Sequence, residues 1–162
     1  MCEGSFSWYF STLSKNSEFA TRVDEWRLRG KPKQHAIEWN LEQWAKTFPD
    51  QADFLNELSR RKLGMLDREL VHQTVFLEAE KGNYLNGFLA VMIWGYGGDA
   101  RGPFRTNRIL QQPNALDSIE KAFHFLQDLE IGEAYDCLVT NGPKYLGPAF
   151  ATKHLYFASN SK

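Results

Sequence analysis

The chain has 162 residues and a mass of 18.7 kDa, the size of one domain with a core of its own. Hydrophobic residues make up 43%, charged residues 24% and aromatic residues 14%, which excludes a disordered chain. The net charge of -1, with a pI near 6.4 and a mean hydropathy of -0.48, excludes a polybasic protein that coats nucleic acid, though not a local basic patch.

Residues 1–34 read as an N-terminal segment with one helix, Glu18 to Arg29, packed on the core. Met1-Cys2-Glu3-Gly4 carries an acid where a signal peptide needs a base, and the longest apolar run, Phe88 to Trp94, is too short to span a bilayer. Cys2 and Cys137 cannot make a disulfide framework, so a reduced, cytoplasmic setting is expected.

From His35 onward the spacing is helical. Ile37, Leu41, Trp44, Ala45 and Phe48 predict a helix from His35 to Phe48, ended by Pro49. Asp50 is the expected N-cap of a helix from Gln51 to Leu63, with Gly64 beyond its end, and Asp67 of the next, which runs to Lys81 before Gly82. Tyr84 to Trp94 is apolar on all sides and predicts a central helix behind Asn83. Pro103 suits the first turn of a short helix ending near Leu110, and Ala115 to Glu130 is amphipathic again. The last third reads as helix Glu133 to Val139, a Gly/Pro hairpin at 140–148, and helix Ala149 to Ala158. No strand run of useful length stands out. The expected fold is all-α: a compact helical bundle with a C-terminal helix-hairpin-helix, residues 35–162 forming the functional domain.

Three features carry chemistry. The segment from Cys137 to Lys162 holds Lys144, Lys153, Lys162 and His154 and no acid, a charge of +3 on a chain of -1. It coincides with the hairpin, where glycines permit close backbone approach and a helix N-terminus offers free N–H groups to a phosphate. The alternative is a plain turn with solvated lysines. Lys153 lies one turn into a helix among Phe150, Leu155, Tyr156 and Phe157, a setting that disfavours its charge and suits a nucleophilic amine; the alternative is a snorkelling surface lysine. Finally, Trp94 to Thr106 packs Tyr96, Asp99, Arg101, Phe104 and Arg105 among four glycines. Aromatic faces stack on bases and arginines clamp phosphates, against the alternative of a buried loop whose arginines pair with core carboxylates. The histidines at 35, 72, 124 and 154 form no metal-ligand spacing, and no metal or cofactor is expected.

Trp-Gly-Tyr-Gly at 94–97 and Gly-Pro-Phe-Arg-Thr at 102–106, followed by Leu-Gly-Pro-x-Phe-x-Thr-Lys at 146–153, resemble the bacterial group with the 8-oxoguanine DNA glycosylase fold, over residues 35–162. The resemblance implies a helix-hairpin-helix enzyme that flips a damaged or modified nucleotide from duplex DNA and breaks its N-glycosidic bond. It makes Lys153 the nucleophile. It makes Gly142, Lys144, Tyr145, Gly147, Ala149, Ala151 and Thr152 the DNA-backbone contacts. It places Trp94, Tyr96, Asp99, Arg101, Phe104, Arg105 and His154 around the base, as pocket or wedge. Ala149 and Ala151 stand where the common hairpin has glycines. The family also carries an aspartate beyond the lysine; the nine residues after Lys153 hold no Asp or Glu, which leaves Asp99 and Asp136 as stand-ins. The alternatives are a non-catalytic DNA-binding module, a base-excising defence protein acting on modified phage DNA, or, from the residues alone, a helical protein–protein adaptor.

Overall fold

The computed structural model describes Thr21, Glu25, Leu28 and residues 34–159. Backbone contacts divide the chain into two units, 1–34 and 35–162. In the first unit Thr21, Glu25 and Leu28 are helical; the remainder of the expected Glu18–Arg29 helix lies outside the described residues.

The second unit opens with a strand where a helix is expected. Ile37–Glu38 (β1) pairs antiparallel with Met65–Leu66 (β2), in register Ile37 to Leu66 and Glu38 to Met65. The helix starts only at Leu41, because the Asn40 side chain accepts the Gln43 N–H at 3.0 Å and caps it there. Helix α1 is therefore Leu41–Thr47. Asp50 caps nothing: Pro49–Gln51 forms a 3-10 turn and α2 begins behind it, at Ala52–Arg61. Two left-handed residues, Leu63 and Gly64, then swing the chain into β2.

Asp67 does cap, accepting the Leu70 N–H at 2.9 Å, and α3 spans Arg68–Glu80. Gly82, at φ +74, turns the chain into α4, Tyr84–Tyr96. Every residue from Phe88 to Ile93 is fully buried, as an all-apolar helix demands. α4 makes its largest interface with α3, and Gly87 permits it: a Cβ there would stand 3.2 Å from the Val75 Cα. Around this pair lie α5 (Gly102–Leu110), α6 (Ala115–Gln127), α7 (Ile131–Tyr135), a π turn over Asp136–Thr140, and α8 (Pro148–Ala158). α8 packs on α3, α4 and α6 through Ala151, His154, Leu155, Phe157 and Ala158. Among the described residues the architecture is all-helical apart from the two-residue strands. Among the described residues no helix is long and apolar enough to cross a membrane.

Candidate functional site

The connection from the π turn to α8 is built from both ends. The Asn141 N–H donates to the Asp136 carbonyl at 2.8 Å, and Gly142 lies so close beneath that a Cβ would fall on the Leu138 carbonyl. Pro143 and Leu146 are buried and anchor the turn, while Lys144 and Tyr145 between them face outward. Tyr145 is 56% exposed and sits at φ +73, a conformation costing a side-chain-bearing residue about 1–2 kcal/mol. At the far end Gly147 precedes Pro148, and the Phe150 and Ala151 N–H groups donate to its carbonyl at 3.0 and 3.1 Å. The Ala149 N–H, in the first turn, has no intrahelical acceptor. A Cβ on Gly147 would meet nothing within 4 Å, so the surface at Gly147 and exposed Ala149 is open. Gly142 thus serves the fold, whereas the fold makes no demand for a glycine at 147. Ala151 is fully buried and presents no side chain to a ligand.

One turn into α8, Lys153 is half-buried. Its Nζ donates to the Ala149 carbonyl at 3.2 Å and lies 4.7 Å from the centre of the Phe150 ring. Lys153 also lines a pocket of about 210 Å3 with Arg68, Trp94, Thr152, Tyr156 and Phe157. The Arg68 guanidinium lies 5.4 Å from the Trp94 ring and 5.6 Å from the Tyr156 ring, and Trp94 meets Phe157 edge-on at 5.1 Å. Arg68 is held there as the first residue of α3, behind the Asp67 cap that also pairs with Lys62. The Thr152 hydroxyl donates to the Pro148 carbonyl at 2.8 Å. A larger cavity of about 450 Å3 is lined by Asp50, Asp53 and Glu120 and is electrostatically wrong for a polyanion.

The glycine-rich loop contributes less to this pocket than expected. Trp94 is in its wall, whereas Tyr96 is outside the lining and stacks on Phe150 at 4.4 Å. Asp99, Arg101, Phe104 and Arg105 are not among the lining residues. Arg101 forks onto Asp99 instead: its Nε donates at 3.0 Å to Oδ1 and its Nη2 at 2.8 Å to Oδ2. That pairing holds the Asp99 carboxyl down at about pKa 2 and raises the Arg101 guanidinium. The partner of Arg101 is therefore a carboxylate of its own surface loop, not one of the core. Asp136 accepts from the Thr140 hydroxyl at 2.6 Å and is likewise outside the pocket lining. His154 points the other way from Lys153. One residue along a helix is a rotation of about 100°, which carries the imidazole into the core, 5.4 Å edge-on to Phe88. It is 2% exposed, neither ring nitrogen has a partner, and burial lowers it to about pKa 4. A histidine so placed touches no base without leaving the core.

Two arginines escaped the sequence reading. Arg68 offered no signal beyond its place after a capping aspartate. Arg108 did: it lies seven residues after Arg101, on the same helical face, and its guanidinium stacks 3.7 Å from the centre of the Tyr145 ring. Among the described residues no group of three or more His, Cys, Asp or Glu side chains could hold a metal ion, and Cys137 is a free, half-buried thiol. The family model described as "putative 8-oxoguanine DNA glycosylase OGG-like protein" matches residues 30–162. No curated protein and no solved structure matches the chain significantly.

Proposed function

The chain belongs to the 8-oxoguanine DNA glycosylase OGG-like family, and from that premise we propose that it excises an oxidised or otherwise modified base from duplex DNA, with Lys153 as nucleophile. The observation that carries this reading is the position of Lys153. Its ammonium lies between the open backbone at Gly147 and Ala149 and a pocket walled by Trp94, Tyr156 and Phe157. A strand held by its phosphates at the turn would present a flipped nucleotide to that pocket. Gly142, Lys144, Tyr145, Gly147, Ala149, Ala151 and Thr152 form the backbone-holding element, with Gly142 and Ala151 shaping it from within.

In this reaction the amine gives up a proton and attacks the sugar C1′. The C1′–N bond breaks, its electron pair leaves with the base, and the base takes a proton. The Nζ lone pair then forms C1′=N as the C1′–O4′ bond breaks and O4′ takes its electron pair and a proton; from this ring-opened Schiff base, loss of a C2′ proton expels the 3′ phosphate. Trp94 and Tyr156 supply stacking faces, and Arg68 supplies donors to a base edge that presents acceptors.

A second reading is favoured by one observation. Among the described residues the pocket lining carries Arg68 and Lys153 and no carboxylate, while Asp99 and Asp136 are engaged elsewhere. A DNA-binding module that has lost excision would look the same. Borohydride trapping separates the two. The protein is incubated with duplexes carrying 8-oxoguanine, uracil or hydroxymethylated cytosine, and the reductant is added. A covalent adduct that disappears in Lys153→Ala supports the enzyme. Binding without base release or trapping supports the module. No binding at low salt overturns both.

A further inference from the structure

Breaking a C1′–N bond leaves positive charge on the sugar and negative charge on the base. A carboxylate beside the sugar answers the first, and a cation beside the base answers the second. The lining of the Lys153 pocket suits the second. Among the described residues its ionised side chains are Arg68 and Lys153, set among Trp94, Tyr156 and Phe157. The Thr152 hydroxyl has already given its proton to the Pro148 carbonyl as a hydrogen bond. Phe157 is buried and Trp94 half-buried, whereas Arg68 and Tyr156 are exposed at the rim. The Arg68 guanidinium lies 5.4 Å from the centre of the Trp94 ring and 5.6 Å from that of Tyr156, within cation–π reach of both. A base that stacks on those rings, with its C1′ toward Lys153, brings an edge to that guanidinium.

On the premise of the glycosylase reading, we infer that Arg68 is a catalytic residue of this pocket: it hydrogen-bonds a carbonyl oxygen of the flipped base and stabilises the negative charge that collects there as the C1′–N bond breaks. The reading is thereby deepened to a substrate class, bases that present a carbonyl at this edge in preference to those that present an amino group. The guanidinium has five donors and no acceptor. A carbonyl meets it with lone pairs that gain charge as the electron pair of C1′–N enters the ring. An amino group sets donor against donor and leaves the cation unpaired. Arginine keeps its proton in proteins, so it holds the charge by hydrogen bonds and the departing base takes its proton from elsewhere. A base that fills the cavity also displaces water from the rim, which strengthens the contact when the charge develops.

The test is single-turnover base release from duplexes carrying 8-oxoguanine and two matched pairs of bases. The pairs are 8-oxohypoxanthine against 8-oxoadenine and 5-hydroxyuracil against 5-hydroxycytosine, each a single exchange of carbonyl for amino group. The wild-type chain should release the carbonyl member about tenfold faster or more. Arg68→Ala should slow release of the carbonyl bases by about 10²–10³-fold, the loss expected for one donor to a developing anion, and should erase the preference within each pair. Arg68→Lys, or guanidinium ion added to Arg68→Ala well below denaturing concentration, should restore part of the rate, which a merely structural arginine would not allow. Faster release of the amino members, or wild-type rates in Arg68→Ala, would overturn the inference; borohydride trapping through Lys153 that persisted alongside either result would leave the glycosylase reading standing without it. A wild-type chain that releases no base from any of these duplexes would overturn both.

Discussion

Gly95 lies against the ring of Phe150, with only 2.5 Å between the place a Cβ would occupy and the ring edge. Next to it, Tyr96 stacks on the same ring at 4.4 Å. The Trp-Gly-Tyr-Gly loop and the lysine-bearing helix are thus fitted to each other through one aromatic side chain. Lys153, whose Nζ sits over that ring, depends on the fit.

Gly95→Ala should therefore destabilise the protein, although alanine is the better helix former by about 1 kcal/mol. The Phe150 ring is partly buried and stacked on Tyr96, so it cannot swing aside as a long flexible side chain would, and overpacking costs about 1–3 kcal/mol. A net loss of about 1–2 kcal/mol in urea unfolding is expected. Gly95→Ala combined with Phe150→Leu should recover most of it, because leucine is shorter; equal losses in the single and double variants would show that the ring is not the obstacle.

The two turn glycines should separate folding from binding. Gly142→Ala puts a Cβ onto the Leu138 carbonyl and should cost about 2 kcal/mol or more, visible as a lowered Tm. Gly147→Ala meets nothing within 4 Å and keeps an ordinary φ of -73°, so Tm should hold or rise slightly. Its added methyl would stand between the backbone and a phosphate, so duplex affinity should fall severalfold. Unchanged affinity would remove Gly147 from the backbone-holding element.

His154 predicts an acid sensitivity. Its folded-state pKa, about 4, lies below the ordinary histidine value of about 6.5, so between those values the unfolded chain binds more protons. Stability falls as pH drops from about 6.5 to about 4, by as much as about 3 kcal/mol from this group, and the loss levels off below. His154→Leu should abolish that contribution. It should also raise stability at pH 7 by about 1 kcal/mol, because both ring nitrogens are buried without partners. Chemical denaturation at pH 7.5 and 5 checks both, and an identical pH slope in the variant would exclude His154 as the source.

Asp99 offers a test of charge. Its carboxylate, held down at about pKa 2 by Arg101, keeps that guanidinium matched at all ordinary pH values. Asp99→Asn should free Arg101 for phosphate, steepening the salt dependence of DNA binding by about 1 and raising affinity at low salt. Should Asp99 instead serve as the carboxylate that supports base departure, the same variant would bind DNA and fail to release a base.

The sequence by itself determined the helical class, the central α4, the Asp67 cap and the order of the two motifs. These follow from periodicity, capping chemistry and glycine placement within single elements, which a linear reading can follow. It mistook 35–40 for helix because Ile37, Leu41 and Trp44 keep helical spacing; the Asn40 cap and pairing with Met65–Leu66 decide otherwise. Only the tertiary structure decided that Arg68 shares a pocket with Lys153, that Arg108 meets Tyr145, and that Asp99 is spent on Arg101. It also decided that His154 faces the core while its neighbour Lys153 faces the pocket. The rotation of a helix about its own axis is set by the elements packed against it. Spacing along the chain shows which residues share a face, but not what that face will meet.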